Sequence, residues 1–441
     1  MTNKIPKRIA NSVMNSLRGG VVPRIGLEYI AVGRKDEIEA LLSDVDMVIS
    51  GGASFRFIVG KYGSGKSFLL QTIRNYTMEK NFVVLDADLS PERRLVGNKG
   101  QGLATYRELV KNMATRTKPD GGALPLILEK WLSGIQSAVL LEYNLSPDEP
   151  EFEAAVNKKV LETLNSLDGM VNGFDFSRML LLYRSASKDS DEEKKARVLK
   201  WFKGEYATKT EVKNELGVNI LITDDNWYDY LKLFAGFLVG AGYGGMLVLI
   251  DELVNLFKIP HTIARQYNYE KILTMYNDVL QGKAEHIGII MGGTPQCIED
   301  SHKGIFSYEA LKSRLEEGRF AREKGYRDML SPIIRLAPLS HEELFVLVEK
   351  LALIHGELYD YTVKLKQEDY LCFLQTELSR VGADSKVTPR EIIRDFIELL
   401  NLSMQNKDTD IRTILGGGNF TFAEDRIGEE AIHQEFADFE L

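Results

Sequence analysis

Five short runs of apolar and β-branched residues stand out along the chain: Phe55–Val59, Phe82–Leu85, Met246–Ile250, Ile287–Met291 and Ile333–Leu336. A continuous apolar run of this length needs cover on both faces, which predicts buried parallel strands joined by right-handed crossovers. Helix-patterned segments separate the runs, so the expected fold class is α/β with a parallel sheet. The gap between the second and third runs is too long for a single crossover. From about Leu89 to Gly245 it reads as helices at Ala104–Arg116, Leu124–Val139, Pro150–Leu167, Asp175–Ala186, Asp191–Phe202 and Tyr228–Gly240. The expectation is a core over residues 51–337 carrying a large helical insertion at about 100–240. The polar break Ser187–Glu193 reads as a solvated helix start.

Beyond Leu336 the pattern turns helical again, at His341–His355, Gln367–Leu378 and Pro389–Met404, which predicts a helical lid over 338–404. Thr388-Pro389 is a clean start for the last of these, with proline in the first turn. Residues 1–50 are left as an N-terminal arm and lead-in, and 405–441 as an acidic tail. The tail carries seven acids from Glu424 onward, with Arg426 its one arginine, behind Gly416-Gly417-Gly418. It is either a solvated extension or a docking segment built on Phe436 and Phe439.

The sharpest chemical signal follows the first run. Gly60-Lys61-Tyr62-Gly63-Ser64-Gly65-Lys66-Ser67 fits G-x-x-x-x-G-K-[ST], with an apolar strand before it and Phe68-Leu69-Leu70 opening a helix behind it. Glycines there let backbone N–H groups wrap an anion at a helix N-terminus, where the dipole favours negative charge. Lys66 would reach the β- and γ-phosphates of ATP, and Ser67 would ligate Mg²⁺. The third run ends in Asp251-Glu252. Asp251 would hold Mg²⁺ through water, and Glu252 would polarise the attacking water. Two acids at a strand end could otherwise cap the next helix. The fourth run leads into Gly292-Gly293-Thr294, where a hydroxyl could orient the lytic water or the residues could simply make a turn. Asn255 competes with Thr294 for the polar position beside the γ-phosphate. Arg314 and Arg390 are candidates for a guanidinium delivered to the developing phosphoryl charge, Arg314 toward a neighbouring subunit's nucleotide. Upstream, Val32-Gly33-Arg34 and the apolar Val21-Val22-Pro23-Arg24-Ile25-Gly26 could fold back as an adenine slot.

Composition narrows the class. A 441-residue chain with 44 % hydrophobic and 27 % charged residues has enough apolar material for a large core. Its net charge of −9 argues against a general nucleic-acid coat, while a local basic face stays open. Only Cys297 and Cys372 occur, far apart, which excludes a disulfide framework and a structural zinc site. Met1–Asn15 has no apolar core of signal-peptide length, and the longest apolar stretch, read as Met246–Ile250, is too short to span a bilayer. A cytoplasmic protein with no membrane segment is expected.

Together the phosphate loop, Asp251-Glu252, Thr294, Val32-Gly33-Arg34 and Thr388-Pro389-Arg390 resemble the AAA+ ATPases of the origin-recognition and initiator branch. More narrowly, three segments are similar to the ATP-binding proteins of BREX-type phage-defence systems. These are Gly20–Leu27, the stretch from Asp86-Ala87-Asp88 to Leu95, and Ser307–Leu311. The resemblance implies a sheet order of 5-1-4-3-2, a helical lid after the fifth strand and arginine fingers from neighbouring subunits in a homo-oligomer. It also implies an ATPase that engages DNA or a helicase-like partner protein. Fewer than forty residues follow Met404, too few for an appended winged helix, so DNA contact would come from elsewhere. Candidates are Lys4, Lys7, Arg8 and Arg18, then Arg93-Arg94 with Lys99, then Lys194-Lys195 with Arg197 and Lys200, and the stretch Lys312–Arg327. Any of these could equally be a solvated face. The competing functional class is an ATP-gated oligomerisation or recruitment switch with little turnover.

Overall fold

The computed structural model describes residues 5–165, 167, 169–316, 318–379, 388–406 and 411–416. The expected hinge at Gly417-Gly418, the acidic tail with Phe436 and Phe439, and Lys4 lie outside the described residues. Two compact units make up the chain: one from Met1–Lys35, Gly60–Thr72 and Leu336–Leu441, the other from Asp36–Val59 and Ile73–Arg335.

The second unit holds the sheet. Its five strands are β1 (Ala53–Val59), β2 (Val83–Asp88), β3 (Met246–Asp251), β4 (Ile287–Gly293) and β5 (Ile333–Arg335). All pairings are parallel, in the order β2-β3-β4-β1-β5. Phe57 lies opposite both Met291 and Ile333, and Val248 lies between Leu85 and Ile289. Residues 54–59 of β1 and all of β4 are buried, as the unbroken apolar runs require. Gly292-Gly293, read above as part of a turn, continues β4 as strand.

One polar side chain interrupts β1. Arg56 is 8 % exposed, and its Nε and Nη2 meet the Asp44 carboxylate at 2.6 and 2.8 Å. Its Nη1 also donates to the carbonyls of Leu330 and Ser331 at 2.8 and 2.6 Å. A forked guanidinium satisfies all three acceptors at once, which a lysine could not do.

The helical segment between β2 and β3 packs directly onto the sheet. Its hydrophobic residues form one continuous cluster with Phe55, Phe57, Val83 and Val248. At its centre Phe176 meets Phe202 and Phe234 edge-on, with ring centroids 5.2 and 5.0 Å apart, and Trp131 meets Phe237 at 5.3 Å. Such edge-to-face pairs contribute about 0.5–1.5 kcal/mol beyond the area they bury. The first helix here is Gln101–Lys111, shorter than the pattern suggested. The chain then extends, and Ala114 exchanges both backbone hydrogen bonds with Val84, partly covering the free edge of β2. Asp191 caps Glu192–Phe202 by accepting from the Lys194 N–H at 2.9 Å, which makes the polar break a helix start.

Helix Leu124–Tyr143 corrects the reading that Met246–Ile250 is the longest apolar stretch. By length and composition, this one helix among the described residues is apolar enough to cross a membrane. Leu124, Ile127, Leu128, Trp131, Ile135 and Val139 recur at helical spacing and are buried in the cluster, as for a core helix of a globular unit.

The first unit is helical. Ala10, Val13, Met14 and Leu17 on helix Lys7–Arg18 join Leu344, Leu347, Val348 and Leu351 on His341–Leu358, and Ile392, Phe396 and Leu400 on Pro389–Gln405. The N-terminal residues therefore form a packed helix inside this core. Ser340 and Thr388 start the latter two helices with reciprocal capping boxes to Glu343 and Glu391.

Removing Asp44 would leave the Arg56 charge buried without its counter-ion. Asp44→Ala is expected to cost about 3–5 kcal/mol, read as a fall in the urea midpoint. The double replacement Asp44→Leu with Arg56→Met should lose much less. Equal losses for the single and the double change would refute the ion-pair account.

Candidate nucleotide site

Gly60, Gly63, Ser64 and Gly65 make the turn from β1 into helix Lys66–Glu79, as the spacing predicts. Lys66 lies back across this turn, with Nζ donating to the carbonyls of Gly60 and Lys61 at 2.8 and 2.9 Å. The Tyr62 ring lies 5.5 Å from the same ammonium. Ser67 is exposed, and Phe68 is half-buried against the core of its unit.

Within the same unit, two further segments touch the loop. Arg34 donates from Nη2 to the Ser64 carbonyl at 3.0 Å. Thr388 lies against Gly63: a Cβ built on that glycine would stand 2.5 Å from Thr388 Cβ. Gly63 also has φ +72°, which side chains with a Cβ rarely adopt. A glycine at this position is outside the G-x-x-x-x-G-K-[ST] consensus, and both its conformation and its neighbour require it. Val32 packs half-buried on the helical core. A Cβ on Gly33, at φ +61°, would lie 2.4 Å from Glu343 Oε1. Arg390 follows Thr388 in the first turn of its helix, and a Cβ on Gly20 would lie 3.8 Å from both its Cδ and that of Arg394.

The acids stand at the C-terminal edge of the sheet in the other unit. Asp251 closes β3 and accepts from the Glu252 N–H at 2.8 Å. Glu252 has φ +63°, an uncommon conformation for a residue with a side chain, and one that marks strain held by its surroundings. Asn255, the competing candidate for the polar position beside a γ-phosphate, is held at the strand exits. Its amide donates to the Leu89 carbonyl at 2.8 Å and ties the β3 exit to the β2 exit. The Thr294 hydroxyl caps helix Pro295–Glu299, accepting from the Cys297 N–H at 3.4 Å, and the residue is 9 % exposed. Arg314 is held by its own chain, with Nε donating to Asn277 Oδ1 at 3.1 Å and Nη1 to the Ala310 carbonyl at 2.7 Å.

Two carboxylates were missed. Asp88 closes β2 opposite Asp251, and Asp86 precedes it by one pleat. Burial pushes the Asp88 carboxyl above the usual carboxylate range, and the Asp251 and Asp86 charges push it further. The signal was present in Asp86-Ala87-Asp88, an acid-ended strand like Met246–Asp251. Carboxylate oxygen is the donor a hard cation takes, and among the described residues no group of three or more His, Cys, Asp or Glu side chains is gathered to hold a metal ion.

Several of the candidate DNA-contacting cations pair with carboxylates. Lys7 pairs with Asp360, Lys195 with Glu129 and Glu192, Arg197 with Glu193, Lys200 with Glu211 and Arg327 with Glu37.

A strand, phosphate loop and helix, on a parallel sheet with acid-ended strands, define a P-loop protein. The family model described as BREX system ATP-binding protein BrxC/D matches residues 5–419, and the chain belongs to that family. No curated protein matches it.

The contact at Gly63 gives a direct test. Gly63→Ala is expected to destabilise the protein by about 1–3 kcal/mol through overpacking. Thr388→Gly in the same chain should recover part of that loss, so a double-mutant cycle should give a coupling of about 0.5–3 kcal/mol. Strict additivity in chemical denaturation would show that the two residues do not press on each other.

Proposed function

We propose that this protein is an AAA+-type ATPase that binds ATP with Mg²⁺ and hydrolyses the β–γ phosphoanhydride in the service of BREX phage defence. The observation that carries the reading is the phosphate loop on β1 of a parallel sheet ordered β2-β3-β4-β1-β5, with Asp251-Glu252 ending β3. Open α/β sheets take their ligands outside the carboxyl ends of the strands.

In this reading the loop amides of 63–67 cradle the phosphates, and Lys66 leaves the Gly60 and Lys61 carbonyls to meet the β- and γ-phosphates. Ser67 and Asp251 would hold Mg²⁺, which supplies charge neutralisation on the phosphate oxygens when bound. Glu252 takes the proton from the attacking water, and Thr294 orients that water through the donor side of its capping hydroxyl. Val32, Gly33 and Arg34 border the nucleotide on the base side. Arg390, at the start of a helix serving as lid, reaches the γ-phosphate. Arg314 serves a neighbouring copy in a homo-oligomer, where a guanidinium finger can contribute about 10³–10⁵ in rate. The output is a change of assembly state, engaging DNA or a helicase-like partner in the cytoplasm.

Two substitutions separate binding from chemistry. Lys66→Ala should abolish ATP binding in a direct titration. Glu252→Gln should still bind ATP while turnover falls by roughly 10²-fold or more, the scale of a lost general base. Wild-type turnover in Glu252→Gln would remove the base assignment. An assembly change that persists in Glu252→Gln would favour the nucleotide-gated switch. In mass photometry with ATP and duplex DNA, the same variant should form oligomers that Arg314→Ala prevents; a monomer throughout would refute the trans-arginine role.

A further inference from the structure

We propose that Arg34 is a positioning residue of the phosphate loop, whose guanidinium holds the Ser64 carbonyl and so turns the Gly65 N–H toward the bound phosphates. The inference rests on the reading of Gly60–Ser67 as an ATP site and moves Arg34 from the base of the nucleotide to its phosphates.

The argument begins with the peptide plane. No cis peptide bond occurs among the described residues, and in a trans peptide the carbonyl and the following N–H point in opposite directions. Whatever fixes the Ser64 carbonyl therefore fixes the Gly65 N–H. Arg34 Nη2 donates to that carbonyl at 3.0 Å. Gly65 has φ +92°, with nothing within 4 Å of the position a Cβ would take. Sterics at that residue therefore do little to choose a peptide orientation. A charged donor on the carbonyl makes the choice, and a bond to a charged group is stronger than one between neutral groups.

The arm that delivers the guanidinium is itself fixed. Arg34 has φ +62°, directly after Gly33 at φ +61°. A left-handed conformation is unfavourable for a residue with a Cβ, and such strain persists only where surrounding contacts hold it. Helix His341–Leu358 supplies those contacts. Lys350 Nζ donates to the Ala31 carbonyl at 2.5 Å, and Glu343 closes on Gly33. The Glu343 carboxylate fills the space beside Gly33, and beyond it the chain turns so that Arg34 meets the loop. The contacts run from one helix through residues 31–34 to the Ser64–Gly65 peptide.

Phosphate positioning and base contact predict different ligand profiles. The test titrates ATP, ADP and AMP into the full chain with Mg²⁺, for the wild type, Arg34→Gln and Arg34→Lys. Thermal melting without nucleotide serves as the folding control. If Arg34 orients the loop, Arg34→Gln weakens ATP and ADP by about tenfold or more, the loss of a hydrogen bond to a charged group. AMP, which lacks the β-phosphate, is then unaffected, and Arg34→Lys recovers part of the loss by keeping a cationic donor. Unchanged ATP and ADP affinity overturns the proposal while leaving the ATP site intact. A parallel loss for AMP overturns it in favour of a base-side contact. If Arg34→Gln does not fold, Arg34→Lys decides on the same criteria: a selective ATP and ADP loss supports the proposal, and no loss overturns it. A wild type that binds none of the three nucleotides overturns both the proposal and the reading of the loop.

Discussion

The parallel pairing of β1 with β4 on one side and β5 on the other is the constraint from which the rest follows. Val59 lies opposite both Gly293 and Arg335, so three strands reach the same edge in step. On the far side of β4, Ile250 lies opposite Met291, which brings Asp251 and Glu252 out at that edge too. A one-residue slip would turn every side chain of the slipped strand to the opposite face. The buried glycine at 288 helps hold this alignment: a Cβ there would stand 3.0 Å from Leu247 Cδ1. The phosphate loop, Asp251-Glu252 and Thr294 leave strands at that edge, and Arg34 and Thr388 touch the loop that follows β1.

Much of this was legible because the responsible signals are local. Each strand is a short apolar run, and the phosphate loop is eight consecutive residues whose chemistry is encoded in their spacing. Asp251-Glu252 was readable for the same reason. What escaped the sequence depends on residues distant along the chain. Nothing near Arg34 says that its guanidinium will meet Ser64, thirty positions on. Nothing near Gly63 announces Thr388. Arg56 sits inside a run read as purely apolar, because its partner Asp44 and its two carbonyl acceptors come from elsewhere. The helical ends erred where a tertiary contact overrode propensity, as when the Val84–Ala114 pairing draws the chain out of its helix.

The two acid-ended strands illustrate how a site is made demanding on purpose. Asp88 and Asp251 are held opposite each other by the ladder, and desolvation together with the facing Asp251 charge raises the Asp88 carboxyl above its ordinary range. Left alone, the facing charge disfavours ionisation of Asp88. A bound cation reverses the sign of that local field. The arrangement therefore stores an electrostatic preference for a positively charged occupant. The tie between the β2 and β3 exits through Asn255 keeps the carboxylates from relaxing apart.

The unit that carries the phosphate loop is assembled from three separate stretches of chain, and this gives it a history as well as a shape. During synthesis Gly63 precedes its neighbour-to-be Thr388 by 325 residues. At ribosomal speeds of roughly 5–20 residues per second, the loop waits about 15–65 s for that partner to emerge. Once Arg335 has been made, the sheet and its aromatic-rich helices are complete in sequence, while the loop still lacks Thr388 and the helix that steadies Arg34. Competence to bind nucleotide thus arrives last, and a nascent chain truncated before its final helices would leave an unfinished loop.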